Sequence, residues 1–150
     1  MRRALLAAAL LLAGCGLQAY DPRGLGAGPF EIDADSPALA ADLRLRIARL
    51  EAAGGRPMRL RLDEGFSSGL ASRVIKGHAT KRELRYELSY VLYENGAELH
   101  RGDFSASQVL DNDETLHRAN LLSDERFIEQ ARLRGIDYLL VDLRRRLGGL

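Results

Sequence analysis

Six basic residues lie close together in the segment RVIKGHATKRELR, between two stretches that are predicted to be strands. A hairpin joining the two strands would bring these side chains onto one cationic surface. Arginine binds a phosphate through paired hydrogen bonds and lysine binds it as a point charge, so the cluster is a candidate phosphate-binding site. The alternative is a solvated sheet edge whose charges prevent pairing with another strand. The six residues are Arg73, Lys76, His78, Lys81, Arg82 and Arg85.

The other polar residues are not spaced for catalysis or for metal binding. The histidines His78, His100 and His117 are too far apart in the sequence for a recurring metal motif. The acidic turn from Asp111 to Glu114 lacks the glycine and the distal glutamate of a calcium-binding EF-hand loop, so we interpret it as a solvated loop. We therefore expect a protein that is not an enzyme and that has no metal and no cofactor.

Cys15 is the only cysteine, and it follows a short basic start and an unbroken apolar run from Ala4 to Ala13. The run is typical of a secretory signal, because it is too short to cross a bilayer as a finished helix. The segment LLAGC resembles the lipobox at which bacterial lipoprotein signals are cleaved and acylated. We predict a signal peptide over residues 1–14 and a covalent lipid, such as palmitate, on Cys15. The alternatives are a free thiol and an intermolecular disulfide.

The rest of the chain is predicted to be one modest domain on a tether. Residues 15–29 are rich in glycine and proline, which is typical of a tether, and residues 30–150 form the domain. The formal net charge is only +1, so we expect no nucleic-acid partner. Gly16 follows the cysteine where an aspartate would signal retention, which favours the outer membrane. Contact with the membrane is expected through the lipid anchor.

Two helices follow from the spacing of the apolar residues. Ser36 and Pro37 are typical of a helix N-cap and of the first helical position, and the helix is predicted to end at Gly54-Gly55. Helical spacing returns from about Ser123 and continues to the C-terminus. Gly135 lies inside this second helix, where it predicts a bend or a close packing contact.

The strands follow from alternation of apolar and polar residues. Met58 to Leu62 alternate strictly, a further candidate runs from about Gly69 to Gly77, and RELRYELSYVLY alternates from Glu83 to Tyr90. The segment ENG at 94–96 predicts a hairpin turn, with a returning strand over Ala97 to Val109. The order β-α-β-β-β-β-α predicts an α+β fold with two helices packed on one face of a mostly antiparallel sheet.

This layout resembles the LptE family of outer-membrane lipopolysaccharide-assembly lipoproteins. The resemblance begins with LAGCG, the tether, a short strand and the helix DSPALAADLRLRI. It continues through LASRVIKGHATKRELRYELSYVLYENGAELHRGDFSASQVLDND, where that family has a basic turn, a long strand, a hairpin and a returning strand. A closing helix that ends in LLVDLRRRL completes it. The segment GLQAY departs from the family pattern, which commonly has an aromatic residue soon after the cysteine-glycine pair.

The resemblance implies a lipoprotein that plugs the lumen of the β-barrel translocon LptD and helps to insert lipopolysaccharide into the outer leaflet. Its place would be the outer membrane, on the periplasmic side and in the barrel lumen. The anionic groups of lipopolysaccharide would then contact Arg73, Lys76, Lys81 and Arg82, with His78 and Arg85 as secondary candidates. The competing interpretation is an accessory or pilot lipoprotein of another outer-membrane complex, which need bind neither the barrel nor lipopolysaccharide.

Overall fold

The computed structural model describes residues 27–71, 74–75, 78–79, 81–111 and 117–148. For 74–75, 78–79 and 117–118 the description covers the backbone alone. The predicted signal peptide, Cys15 and residues 16–26 of the predicted tether lie outside the described residues. The last three residues of that tether are described, and they belong to the first strand.

The domain is built from one four-stranded sheet and two helices. The elements are β1 (Ala27–Ala34), α1 (Pro37–Ile47), β2 (Arg56–Leu70), β3 (Val74–Ile75), β4 (His78–Ala79), β5 (Lys81–Glu94), β6 (Ala97–Asp111) and α2 (His117–Leu147). The strands of the sheet lie in the order β1-β2-β5-β6, with β1 parallel to β2 and the other neighbours antiparallel, while β3 and β4 form a separate small ladder. The predicted α+β fold with a mostly antiparallel sheet is therefore confirmed.

The two faces of the sheet differ in exposure because the strand residues alternate. One face carries the apolar side chains and is covered by both helices, whereas the charged and small residues between them point to solvent on the open face. Two tyrosines of β5, Tyr86 and Tyr90, are only 1% exposed although each carries a hydroxyl group. A buried hydroxyl group needs a hydrogen-bond partner, and both partners are acidic side chains described below.

The turn between β5 and β6 has the geometry that its sequence predicts. Asn95 and Gly96 both have positive φ, at 50° and 82°, as the two-residue hairpin turns that match the twist of a sheet require. The register then runs from this turn to the pair Lys81 and Asp111, with one shift next to Tyr93. The hairpin prediction is confirmed, and β6 continues slightly beyond the predicted Val109.

Helix α1 begins as predicted but ends earlier. The Ser36 side chain accepts a hydrogen bond from the Leu39 N–H, at 3.3 Å, and Pro37 is the first helical residue. The helix ends at Ile47 because the following residues pair with β1: the Glu51 carboxylate accepts the Phe30 N–H, and the Ala52 N–H donates to the carbonyl of Ala27. The chain therefore leaves the helical path well before Gly54.

Strand β2 is longer than predicted. The stretch from Gly65 to Leu70 has no apolar alternation, so the sequence indicates a break there, but it pairs with β5 in unbroken register from Met58 to Leu70. The candidate strand from Gly69 to Gly77 is thus divided between the end of β2 and the short β3. Pairing with a strongly alternating neighbour decides the structure of a segment whose own preference is weak.

Helix α2 begins at His117, ahead of the Ser123 that its periodicity indicates, and it lies close against the sheet. A Cβ atom on Gly135 would lie 3.0 Å from Leu88 Cδ2 and 3.1 Å from Phe104 Cδ1. The glycine thus allows a close approach of helix to sheet, and the predicted packing contact is confirmed.

Candidate functional site

The described basic candidates, Lys81, Arg82 and Arg85, lie in β5 near the end of the sheet that is remote from the Asn95-Gly96 turn. There Leu70 pairs with Arg82, the Ala71 N–H donates to the carbonyl of Lys81, and β3 pairs with β4. Arg73 and Lys76 lie outside the described residues, and of His78 only the backbone is described, in β4. The described part of the candidate site is therefore its base, formed by Lys81, Arg82 and Arg85.

Arg82 points to the helix side of the sheet and binds α2. Its Nη1 donates to Asp124 Oδ2 at 2.7 Å, and its Nη2 donates to the carbonyl of Asn120 at 2.8 Å. The Arg82 side chain is only 12% exposed. An arginine that is buried with a carboxylate partner holds two elements together, so Arg82 joins the first turns of α2 to β5.

Lys81 and Arg85 lie on the open face, where strand alternation places them on the same side as Glu83 and Glu87. Both basic residues are exposed, and the Arg85 side chain lies 3.9 Å from Glu87 with 58% of its surface accessible. Charges of opposite sign therefore alternate along this face of β5. Only Lys81 and Arg85 of the described candidates have side chains open to an external anion.

Glu64 is the centre of a polar network between the sheet and both helices. Arg132 of α2 donates to both Glu64 carboxylate oxygens at 3.0 Å, and the Tyr86 hydroxyl donates to Oε2 at 2.8 Å. Burial alone would raise the pKa of Glu64, but the hydrogen bonds from Arg132, Ser36 and Tyr86 outweigh it and hold the pKa below its ordinary value. Burial and the Glu64 carboxylate raise the pKa of Tyr86.

A second network lies near the C-terminal end of α2. Asp142 Oδ2 accepts hydrogen bonds from the Tyr90 hydroxyl, at 2.6 Å, and from His100 Nε2. Burial opposes the charge on Asp142, yet the hydrogen bonds from Tyr90 and His100 lower its pKa. Burial, followed by the hydrogen bond to Asp142, raises the pKa of Tyr90. Gly102 leaves room for this tyrosine, because a Cβ atom there would overlap its hydroxyl group and ring.

The two networks were not predicted from the sequence because their polar side chains occupy positions within apolar patterns and form no motif. Glu64 continues the alternation of Met58, Leu60 and Leu62 and so falls on the buried face of β2. A carboxylate in that phase is the signal that could have been read, since a buried charge requires a partner. Both networks are satisfied internally, so we assign them to stability rather than to chemistry.

One segment matches a catalytic sequence pattern but does not have the geometry that the pattern requires. Residues 65–69, GFSSG, match the Gly-x-Ser-x-Gly pattern of the nucleophile elbow. An elbow is a sharp turn between a strand and a helix, whereas Ser67 lies within β2 directly opposite Arg85. Among the described residues, no group of three histidine, cysteine, aspartate or glutamate side chains could hold a metal ion.

A cleft of about 760 Å³ lies at the other end of β2, next to the Asn95-Gly96 turn. Two of its lining arginines are already in ion pairs: Arg59 with Asp33 at 2.6 Å, and Arg61 with Asp63 at 3.6 Å. The hydrogen bond and the charge of Asp33 raise the pKa of Arg59. The cleft is therefore balanced in charge and does not extend the basic candidate site.

The fold is shared with bacterial lipoproteins of known structure. Rare lipoprotein B from Shewanella oneidensis superposes with a TM-score of 0.62 at 17% identity, over 76% of this chain and 92% of that chain. A protein named as a lipoprotein from Caulobacter crescentus gives 0.55 at 25% identity, over 84% and 93%. A minor lipoprotein from Acinetobacter baumannii gives 0.55 at 15% identity, over 80% and 90%. No family model and no curated protein matches the sequence.

These likenesses cover nearly the whole of each lipoprotein and most of this chain, so the shared feature is the complete α+β fold. The chain thus has a fold that is found in lipoproteins, in agreement with the lipobox-like segment that ends at Cys15. Neither helix in the described part of the chain is long and apolar enough to cross a membrane.

Proposed function

We propose that this protein is a non-enzymatic lipoprotein of the outer membrane that assembles with the β-barrel translocon LptD and assists the insertion of lipopolysaccharide. The observation that carries the proposal is the fold shared with rare lipoprotein B over nearly all of that protein. The LptE-like arrangement of the sequence and the lipobox-like segment before Cys15 support it independently. The covalent lipid on Cys15 would be its only non-protein group.

The position of the basic residues supports a contact with lipopolysaccharide. Lys81 and Arg85 lie at the start of β5, at one end of the sheet, and their exposed side chains could be reached by an anionic ligand without crossing the core. Arg73, Lys76, Lys81 and Arg85 are the residues through which we propose that phosphate groups are bound. Arg82 belongs to the base of the candidate site, and its ion pair with Asp124 positions β5 on α2.

The first experiment recovers the acylated full-length protein, tagged at Leu150, from detergent-solubilised envelopes and identifies what remains bound by mass spectrometry. We expect a stoichiometric large outer-membrane barrel together with lipopolysaccharide. Recovery of other envelope proteins, or of none, would instead support the accessory or pilot lipoprotein of a different complex.

The second experiment measures lipopolysaccharide binding by charge-reversal variants. Arg73→Glu with Lys76→Glu is expected to weaken binding by about tenfold or more, since a charge-assisted hydrogen bond contributes roughly 1.5–3 kcal/mol. The control reverses Arg59 and Arg101, whose side chains are 54% and 68% exposed. Both lie on the open face of the sheet, near the end that carries the Asn95-Gly96 turn. Equal binding by both double variants would refute the assignment of the basic candidate site. Arg82 is unsuitable for this test, because its loss would also leave Asp124 without its partner.

A further inference from the structure

The outer edge of β2 is covered by β1 over only half of its length. The pairing of β1 with β2 ends at Ala34 and Leu62, where the chain turns into α1. Asp35 closes this end, because its N–H donates to the carbonyl of Leu62 and its carboxylate accepts the Glu64 N–H at 3.1 Å. Of the residues that the structure describes, none pairs with the outer edge of β2 from Gly65 to Leu70.

The direction of the backbone groups on this edge follows from the register. Successive residues of a strand direct their N–H and C=O groups to opposite sides, and the Glu64 N–H points outward to Asp35. The register with β5 is unbroken from Met58 to Leu70, so Phe66, Ser68 and Leu70 also point outward. These three residues present a row of backbone donors and acceptors that a further strand could pair with.

The side chains along this edge also suit an added strand. Phe66 and Leu70 lie on the helix side of the sheet, where they are 41% and 69% exposed. The open-face residues of the same stretch are Gly65, Ser67 and Gly69, which are small and uncharged. Natural sheet edges are commonly protected by charged residues or proline, and this segment has neither.

Among the residues that the structure describes, no other segment pairs with this edge. Ala27 lies opposite Arg56, and Gly65 lies roughly 30 Å farther along β2. With Cys15 as the lipidated first residue, as predicted, residues 15–26 would span about 40 Å when fully extended, and only about three of them would have the length to pass beyond β1. A second copy pairing over six residues would bury much less than the roughly 1,600 Å² of a stable interface.

We propose that the edge from Gly65 to Leu70 binds an extended segment of the outer-membrane barrel protein, which adds a fifth strand to the sheet. This inference rests on the proposed function, since a barrel that surrounds the domain supplies the remaining interface area. The backbone row of Phe66, Ser68 and Leu70 provides affinity, and the exposed Phe66 and Leu70 side chains select apolar residues at alternate positions of the partner segment.

Proline substitution tests the edge without breaking the sheet. Ser68→Pro removes an N–H that points outward, so the pairing of β2 with β5 is retained while the outer edge is blocked. The matched control is Ser107→Pro on β6: the register places its N–H on the opposite outer edge of the sheet, at nearly the same height. Recovery of the barrel with acylated full-length protein is expected to fall by about tenfold for Ser68→Pro and to stay at the wild-type level for Ser107→Pro.

A second pair of variants covers the case in which a proline disturbs folding. Leu70→Lys adds a charge to the proposed edge, and Val109→Lys adds one at a residue that is 55% exposed on β6. Loss of the barrel with Leu70→Lys alone supports the proposal, whereas equal recovery with all variants overturns it and leaves the proposed function intact. If no barrel is recovered even with the wild-type protein, both the proposed function and the partner assigned to this edge are wrong. A dimer in detergent that Ser68→Pro abolishes would identify a second copy as the occupant and would also overturn the proposal.

Discussion

An added methyl group at Gly102 is expected to destabilise the domain strongly. A Cβ atom there would overlap the hydroxyl group and ring of Tyr90, with Cε1 at 2.9 Å. Tyr90 is only 1% exposed, and side chains in a close-packed core cannot move without displacing their neighbours. Gly102→Ala therefore forces the tyrosine away from Asp142 and breaks its 2.6 Å hydrogen bond.

The magnitude follows from two contributions. Overpacking of a close-packed core costs about 1–3 kcal/mol, and losing a hydrogen bond to an ionised carboxylate costs roughly 1.5–3 kcal/mol. We expect Gly102→Ala to lower the free energy of unfolding by about 3 kcal/mol, out of the roughly 5–15 kcal/mol that domains have in total. Urea unfolding followed by circular dichroism would then show a midpoint lower by about 1–2 M.

The control is Gly65→Ala, because a Cβ atom at Gly65 would have no neighbour within 4 Å. Its free energy of unfolding is expected to stay within about 0.5 kcal/mol of the wild type. The double variant Gly102→Ala with Tyr90→Phe should lose less stability than the sum of the losses of the two single variants, since both changes remove the same hydrogen bond. The reasoning is refuted if Gly102→Ala is as stable as Gly65→Ala, or if the two changes are additive.

Three further outcomes concern stability. Arg132→Leu is expected to lower the free energy of unfolding in urea by about 2–3 kcal/mol, because it leaves Glu64 buried without its cation. The control, Arg101→Leu, changes an arginine that is 68% exposed and should alter this free energy by less than about 0.5 kcal/mol. Glu64 and Asp142 have lowered pKa values in the folded state, so their stabilisation is present above the unfolded pKa values of about 4 and is lost as the pH falls below them. Unfolding measured between pH 7 and pH 3 should show this loss, and a double variant Glu64→Gln with Asp142→Asn should show a flatter profile. Gly135→Leu should cost about 2–3 kcal/mol, since a side chain there enters the contact between α2 and the sheet; a cost below about 0.5 kcal/mol would contradict that account.

The elements that could be predicted are those whose signals are local. The N-cap at Ser36, the turn at Asn95-Gly96 and the alternation of β5 depend on neighbours within a few residues, and the structure has all three as expected. The end of α1 and the length of β2 depend instead on pairing with distant strands. Ala52 leaves the helical path to bind Ala27, and that contact exists only once the sheet has formed.

The candidate site shows the same division between local and tertiary information. Clustering of basic residues is visible in the sequence, but the two sides of β5 separate Arg82 from Lys81 and Arg85, and only the position of α2 shows that Arg82 has a carboxylate partner. Glu64 and Gly102 were not predicted because the need for a carboxylate and for a missing side chain arises from residues 22 and 12 positions away, Tyr86 and Tyr90.

The two-residue turn at Asn95-Gly96 has a consequence for the order of folding. It joins the two strands whose pairing runs along the whole of β5, so this hairpin closes with little loss of chain entropy. Strand β1 is the first strand to be synthesised but has β2 as its only strand neighbour in the sheet, so it gains a partner later in synthesis. Substitutions in the hairpin, such as Leu92→Ala, should therefore slow refolding, while Phe30→Ala should mainly speed unfolding. Nucleation would begin in the middle of the chain and spread outward to both of its ends.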